Sequence, residues 1–202
     1  EAVLNAGNPG RGIHSAAVWS AKNIYKARES IAKLFNIDDC SRIAFTLNAT
    51  HALNIAVNFC KGEILTTSME HNSVLRPCHS RGFYRIFNAD SDGKIKNTDL
   101  IRSISELTGA VIMMHASNVT GAIYDIEAIG YECRKRGILF IVDASQTAGV
   151  VPIDVKKMNI DVLCFTGHKG LYGMQGTGGI YVAPNVPTRP YMCGGTGNRS
   201  FD

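Results

Sequence analysis

Residues 138–149 read ILFIVDASQTAG. Five apolar side chains in succession, Ile138 to Val142, are rich in β-branched and aromatic types and too few for an ordinary helix. They specify a short strand buried on both faces, the kind found inside parallel sheets. The run closes on Asp143, and a carboxylate there is costly to bury unless a positive group meets it. Asp143 is therefore a site candidate, and Gln146, three residues on, can reach the same space. Just upstream, Asp125 to Arg136 reads as a helix with Asp125 as N-cap, basic residues in its last turn and Gly137 beyond it.

The helix–strand alternation extends in both directions. Strands are predicted at 42–46, 63–67, 83–87, 110–115, 161–165 and 179–183. Helices are predicted at 15–35, 50–59, 72–80 and 98–105, the last capped by Asn97 or Thr98. In the 15–35 helix, Val18, Ile24, Tyr25, Ile31, Leu34 and Phe35 recur at helical spacing and mark the face expected to be buried. Before it, NAGNPGRG (5–12) is too rich in glycine and proline for regular structure. Continuously apolar strands separated by helices predict an α/β fold: a mainly parallel seven-stranded sheet sandwiched by helices.

Composition agrees. Of 202 residues, 45% are hydrophobic and 19% charged, which excludes disorder, collagen and coiled coil. No apolar run approaches the roughly 18 residues needed to cross a bilayer, so no membrane role is expected. The net charge of +4 comes from scattered lysines and arginines, without the basic stripe of a nucleic-acid surface. The six cysteines show no CxxC and no zinc spacing with histidine, so no metal site is expected. Free thiols and the lack of an export signal predict a cytoplasmic protein.

In sheets of this type ligands sit at the carboxyl ends of the strands, and those ends carry polar residues. After the first strand, LNAT (47–50) places Asn48, Ala49 and Thr50 at a helix start, where free N–H groups favour an anion or Asn48 or Thr50 serves as a plain cap. After 63–67 comes His71; after 110–115 comes Asn118; after 138–143 come Asp143 and Gln146. The 161–165 strand runs into TGHKGLYGMQGTGG, where Thr166, His168 and Lys169 stand among six glycines between Gly167 and Gly179. That much glycine permits positive φ and close backbone approach to a ligand. No GxxxxGK[ST], GxGxxG or HExxH occurs. A phosphate-type anchor, an aromatic ring, an amide, a carboxylate and a lysine together suit pyridoxal 5′-phosphate, with lysine as its covalent anchor and a carboxylate holding the pyridine nitrogen protonated.

The ordered stretches NPGRGIH (8–14), FTLNATHALN (45–54), MEHNSVLRP (69–77), HASNVTGAI (115–123), VDASQTAG (142–149), FTGHKGLYG (165–173) and GTGG (176–179) resemble the class V aminotransferases of the fold type I pyridoxal phosphate enzymes, and within them the cysteine desulfurase-like proteins. The resemblance implies an aspartate aminotransferase-like large domain. It makes Lys169 the Schiff-base lysine, Asp143 the partner of the pyridine nitrogen and His71 the ring-stacking imidazole. It sets Gln146 and Asn118 beside the ring hydroxyl, and Ala49, Thr50, Thr166 and His168 around the phosphate. Arg11 to His14 resemble a loop bordering the substrate pocket.

The implied activity is removal of sulfur from L-cysteine, giving alanine and an enzyme persulfide, in a homodimer serving a sulfur-acceptor protein. The alternatives are a class V aminotransferase, a selenocysteine or other β-lyase, or a non-catalytic cofactor-binding or partner domain. His51 replaces a usual glutamate and Met174 a usual proline. Neither Cys193 nor Thr196 matches a family site position. The family's small C-terminal domain has no counterpart in 1–202, so the expectation is a large domain truncated at both ends and inactive alone.

Overall fold

The computed structural model describes residues 2–10 and 12–194. Its strands are β1 Ile43–Thr46, β2 Glu63–Thr67, β3 Tyr84–Phe87, β4 Thr108–Met114, β5 Leu139–Asp143, β6 Val162–Thr166 and β7 Gly178–Val182. Its helices are α1 Ala2–Asn5, α2 Ser15–Leu34, α3 Ala49–Phe59, α4 Asn72–Arg81, α5 Asn97–Ser103 and α6 Ile126–Arg136. The strands form one sheet in the order β1-β7-β6-β5-β4-β2-β3.

The pairs β2–β3, β2–β4, β4–β5 and β5–β6 are parallel, each joined through a helix or a long connection. Among the described strands β7 alone is reversed in direction, pairing antiparallel with both β6 and β1. Residues 167–177 return the chain from β6 without a crossover helix, and a short return permits only an antiparallel partner. The fold is thus the mainly parallel α/β sheet that the sequence specifies.

Burial follows position in the sheet. Every residue of β2 and β6 is buried, as are all but one of β4 and of β5, whereas the edge strands β1 and β3 are partly exposed. Phe35, Leu53, Ile64, Leu65, Ile112, Met113, Phe140 and Phe165 are fully buried in one core. The rings of Phe35 and Phe165 meet at 5.5 Å between centroids. Cys60, Cys78, Cys133 and Cys164 lie in this core as free thiols. Burial pushes the first three up to about 12 and Cys164 well above its ordinary value.

Several local expectations are corrected. Only part of the predicted α2 face is buried: Ile31 packs against the core and Phe35, at the helix end, lies in it, but Val18, Tyr25 and Leu34 are exposed and the rest of the buried face is Ala17, Ser20 and Ala32. Small side chains let a helix approach closely, which periodicity weighted by large apolar residues does not reveal. Neither Asn97 nor Thr98 caps α5; its N-cap is Lys96, which makes no side-chain capping bond, and Asn97 Nδ2 instead donates to the Asp125 carbonyl. Arg42 belongs to a 3-10 turn, Cys40–Arg42, ahead of β1. The caps of α6 are as read: Asp125 accepts from the Ala128 N–H, and Gly137 takes φ +66°.

Candidate active site

The carboxyl ends of β1, β2, β4, β5 and β6 open onto one cleft. On its first wall α3 begins abruptly. Asn48 is the N-cap, its side-chain oxygen accepting from the His51 N–H at 2.9 Å, and the Thr46 hydroxyl donates to the Asn48 carbonyl. These contacts leave the first-turn amides of Ala49 and Thr50 without an acceptor among the described residues. Unpaired amides at the positive end of a helix attract an anion.

The next wall follows β2. His71 is the N-cap of α4, and its Nδ1 accepts from the Ser73 N–H at 3.1 Å. The Ser73 hydroxyl lies 2.8 Å from that same nitrogen and 2.7 Å from the Thr50 hydroxyl, so the α3 and α4 walls are tied together by side chains. Beneath them Glu70 is buried. Its Oε1 accepts from the Thr67 hydroxyl at 2.7 Å and the Met114 N–H at 3.0 Å, while Oε2 has no partner among the described residues. Burial is the main cause pushing the Glu70 carboxyl up to about 8, helped by the nearby charge of Asp143 and opposed by its two donors.

Asp143 ends β5 and is 5% exposed. One carboxylate oxygen accepts from both the N–H and the hydroxyl of Ser145. Burial raises the Asp143 pKa, and the Ser145 bonds and the charges of Lys169 and His71 oppose that rise.

After β6, the Thr166 hydroxyl pairs with His168 Nδ1 at 2.9 Å, and Lys169 follows at the rim. The surrounding glycines act mainly inside the protein. A Cβ on Gly167 would sit 2.3 Å from the Thr177 hydroxyl, one on Gly170 2.6 Å from the Ala148 carbonyl, and one on Gly179 2.3 Å from the Phe165 ring. Of the six, only Gly176 takes a positive φ, +81°. The expectation of glycine for ligand approach is therefore replaced by glycine for close packing of the lysine loop.

The nine residues read as holding the cofactor, Ala49, Thr50, His71, Asn118, Asp143, Gln146, Thr166, His168 and Lys169, line this one cleft. Asn48, Ser73, Met114, Ala116 and Ser145 complete it. The last four carry no sequence signal of their own; Ser73 and Ser145 each sit two residues beyond a recognised candidate. Gly12, Ile13 and His14 do not line it, and His14 caps α2. Arg11 and Thr196 lie outside the described residues. His51 packs its ring against Tyr191, 5.9 Å between centroids, and does not line the cleft. Among the described residues no group of three or more His, Cys, Asp or Glu could hold a metal ion, and no helix is long and apolar enough to cross a membrane.

A family model described as aminotransferase class-V matches residues 3–201. The chain belongs to this family. Among class V relatives, a cysteine desulfurase IscS of Vibrio campbellii is 38% identical over 208 residues, covering 96% of this chain and 51% of that protein. The cysteine desulfurase IscS of Plasmodium falciparum is 36% identical over 199 residues, covering 90% and 36%. The chain spans about half the length of most of the curated relatives it matches. Among solved structures, SspA in complex with cysteine superposes with a TM-score of 0.87 at 32% identity, covering 95% of this chain and 58% of that one. A NifS-like protein superposes at 0.85 and 32%, covering 94% and 55%.

Proposed function

We propose that residues 1–202 form the cofactor-binding large domain of a pyridoxal phosphate-dependent cysteine desulfurase. The observation that carries this reading is the convergence, in one cleft, of Lys169, Asp143, His71 and the acceptor-free amides of Ala49 and Thr50. The donor set fits the cofactor: an amine, a buried carboxylate, an imidazole and an anion-seeking helix start are the partners its aldehyde, pyridine nitrogen, ring face and phosphate need.

When bound, the cofactor supplies an electron sink for charge developing at the substrate Cα. The chain supplies the rest. Ala49, Thr50, Thr166 and His168 hold the phosphate; Gln146 and Asn118 orient the hydroxyl edge of the ring; His71 covers one face. Asp143 holds a proton at the pyridine nitrogen. Lys169 Nζ anchors the cofactor and then takes the proton from the substrate Cα. Cysteine as substrate is supported by the desulfurase relatives and by the related protein solved with cysteine. Sulfur passes to a cysteine side chain as a persulfide, with alanine released. Cys60, Cys78, Cys133 and Cys164 are buried and are not assigned that role. A homodimer and a sulfur-acceptor protein complete the reading; light scattering after size exclusion tests the first.

The test is direct. Pyridoxal 5′-phosphate added to the purified protein should give a visible absorption band that borohydride fixes to Lys169. A Lys169→Ala variant that retained the band would overturn the assignment. Alanine and sulfide counted with cysteine as substrate separate a desulfurase from an aminotransferase, which would yield neither.

A further inference from the structure

Among the described residues the side chains of Gln146 and Asn118 have no hydrogen-bond partner of their own, although both line the cleft. An amide that is to meet one edge of a ring must then be aimed by the backbone that carries it. Gln146 stands in the turn after β5, between two anchored neighbours. On one side the Ser145 N–H and hydroxyl donate to the Asp143 carboxylate. On the other the Thr147 hydroxyl lies 2.9 Å from His115 Nδ1. His115 and Thr147 are 3% and 1% exposed, and neither lines the cleft.

His115 is the residue immediately beyond β4. Its N–H donates to the Asp143 carbonyl at 2.9 Å, and its carbonyl accepts from the Tyr124 N–H at 2.9 Å. Those are backbone bonds that any residue but proline would make. The bond to Thr147 belongs to the side chain. Within the turn, the Thr147 and Ala148 N–H groups donate to the Ala144 carbonyl and set its curl. The imidazole adds a tie from the end of that curl to β4. Burial holds the His115 pKa below its ordinary value, so the ring is uncharged at neutral pH. A neutral ring nitrogen meets a hydroxyl as donor or as acceptor, so the tie holds in either tautomer. Leaving a buried hydroxyl and ring nitrogen unpaired is costly, which fixes the turn where the two meet.

We propose that His115 is a positioning residue: by holding the Thr147 hydroxyl it fixes the turn after β5 so that the Gln146 amide donates to the hydroxyl oxygen of the bound cofactor ring. The inference rests on the reading of the cleft as the pyridoxal phosphate site. In the lysine-linked cofactor one proton is shared between that ring oxygen and the lysine nitrogen. An N–H donated to the oxygen favours the arrangement in which the oxygen is negative and the nitrogen holds the proton. That arrangement absorbs at the longer wavelength. The ratio of the two absorption bands therefore reports the aim of the Gln146 amide, although neither His115 nor Thr147 lines the cleft.

The experiment is absorption spectroscopy of the purified full-length protein saturated with pyridoxal 5′-phosphate at fixed pH, with the ratio of the long- to the short-wavelength band as readout. Gln146→Leu, which removes the amide, should lower the ratio about tenfold or more, the effect of one hydrogen bond to a charged group. Thr147→Val, which removes only the hydroxyl, should lower it about fivefold, the effect of one neutral hydrogen bond, and Thr147→Ser should restore it. Added to Gln146→Leu, Thr147→Val should change nothing further, because a residue that acts through another has no effect once that other is gone. His115→Leu should reproduce Thr147→Val, and His115→Asn, whose amide reaches the place of Nδ1, should keep the wild-type ratio; this pair carries the test where Thr147→Val does not fold. A ratio unchanged in Gln146→Leu, in Thr147→Val or in His115→Leu, or a fall of the same size with and without Gln146, would overturn the positioning role alone. A wild-type protein that gives no band with the cofactor would overturn the reading of the cleft, and the positioning role with it.

Discussion

Replacing Glu70 by glutamine removes one ionisable group from beneath the cleft while keeping its size and its acceptor oxygen. In the wild type that oxygen takes the Thr67 hydroxyl and the Met114 N–H, and the other has no partner among the described residues. The carboxyl is pushed from 4.5 to about 8, chiefly by burial. Because the folded value lies above the unfolded one, the protonated group's contribution is intact below pH 4.5 and is lost as pH rises through about 8. At about 1.4 kcal/mol per pH unit, that loss is roughly 3 kcal/mol by pH 7 and approaches 5 above pH 8. Glutamine cannot ionise, so Glu70→Gln should match the wild type near pH 4.5 and exceed its stability by a few kcal/mol near pH 8.5. Asp143, also raised, keeps some downward slope in the variant. Urea unfolding followed by circular dichroism at closely spaced pH values between 4.5 and 9 measures both curves. Parallel curves would refute the reasoning, because they would mean that Glu70 is already ionised in the folded protein at low pH. Glu70→Ala is the control: it strands the Thr67 and Met114 donors and should cost about 1–3 kcal/mol for each at every pH.

Asp143→Asn should raise stability as pH climbs through the raised Asp143 pKa, since burial disfavours the charged carboxyl, and, if the proposed function holds for the full-length enzyme, lower its cysteine turnover on the order of a hundredfold or more; thermal melts and alanine assays read the two effects separately, and a variant with normal turnover would remove Asp143 from the mechanism. Arg85 donates to both carboxylate oxygens of Glu63 and to the Ser103 carbonyl, and its hydrogen bond is the chief cause lowering the Glu63 pKa. The Glu63 contribution is present above its ordinary pKa and lost as pH falls through the depressed one, so Arg85→Ala should destabilise most near neutral pH and least in acid. Gly130→Ala would set a Cβ 2.0 Å from the Met158 carbonyl oxygen and should cost at least about 2 kcal/mol, whereas Gly137→Ala meets no atom and pays only for φ +66°, about 1 kcal/mol; equal melting temperatures would contradict this. A thiol reagent should modify Cys193 and, more slowly, Cys40 in the native protein, and reach Cys60, Cys78, Cys133 and Cys164 only on unfolding, as peptide mapping would show.

Much of this was legible in the sequence because the information was local. An apolar run such as Ile138–Val142 can bury both faces only inside a sheet, and the helices between such runs force most strands to be parallel. Strand ends then face one side, so Asp143, Lys169, His71 and Asn118 could be gathered on one rim from chain order alone. What escaped was set by partners distant in sequence. Ser73 matters because Thr50, 23 residues away, lies 2.7 Å from it. Glu70 reads as a loop acid beside His71, and only the packing of β2 against β4 buries it under the cleft with one oxygen unpartnered among the described residues. The lysine-loop glycines read as ligand contacts, yet the third dimension shows them pressed against Thr177, Ala148 and Phe165. The sequence by itself determined the class of fold and which residues share an end of the sheet, because periodicity and caps act within a few residues. Tertiary structure alone decided which hydroxyl meets which imidazole and which carboxyls are buried beneath the cleft, because hydrogen-bond partners and desolvation depend on what packs overhead.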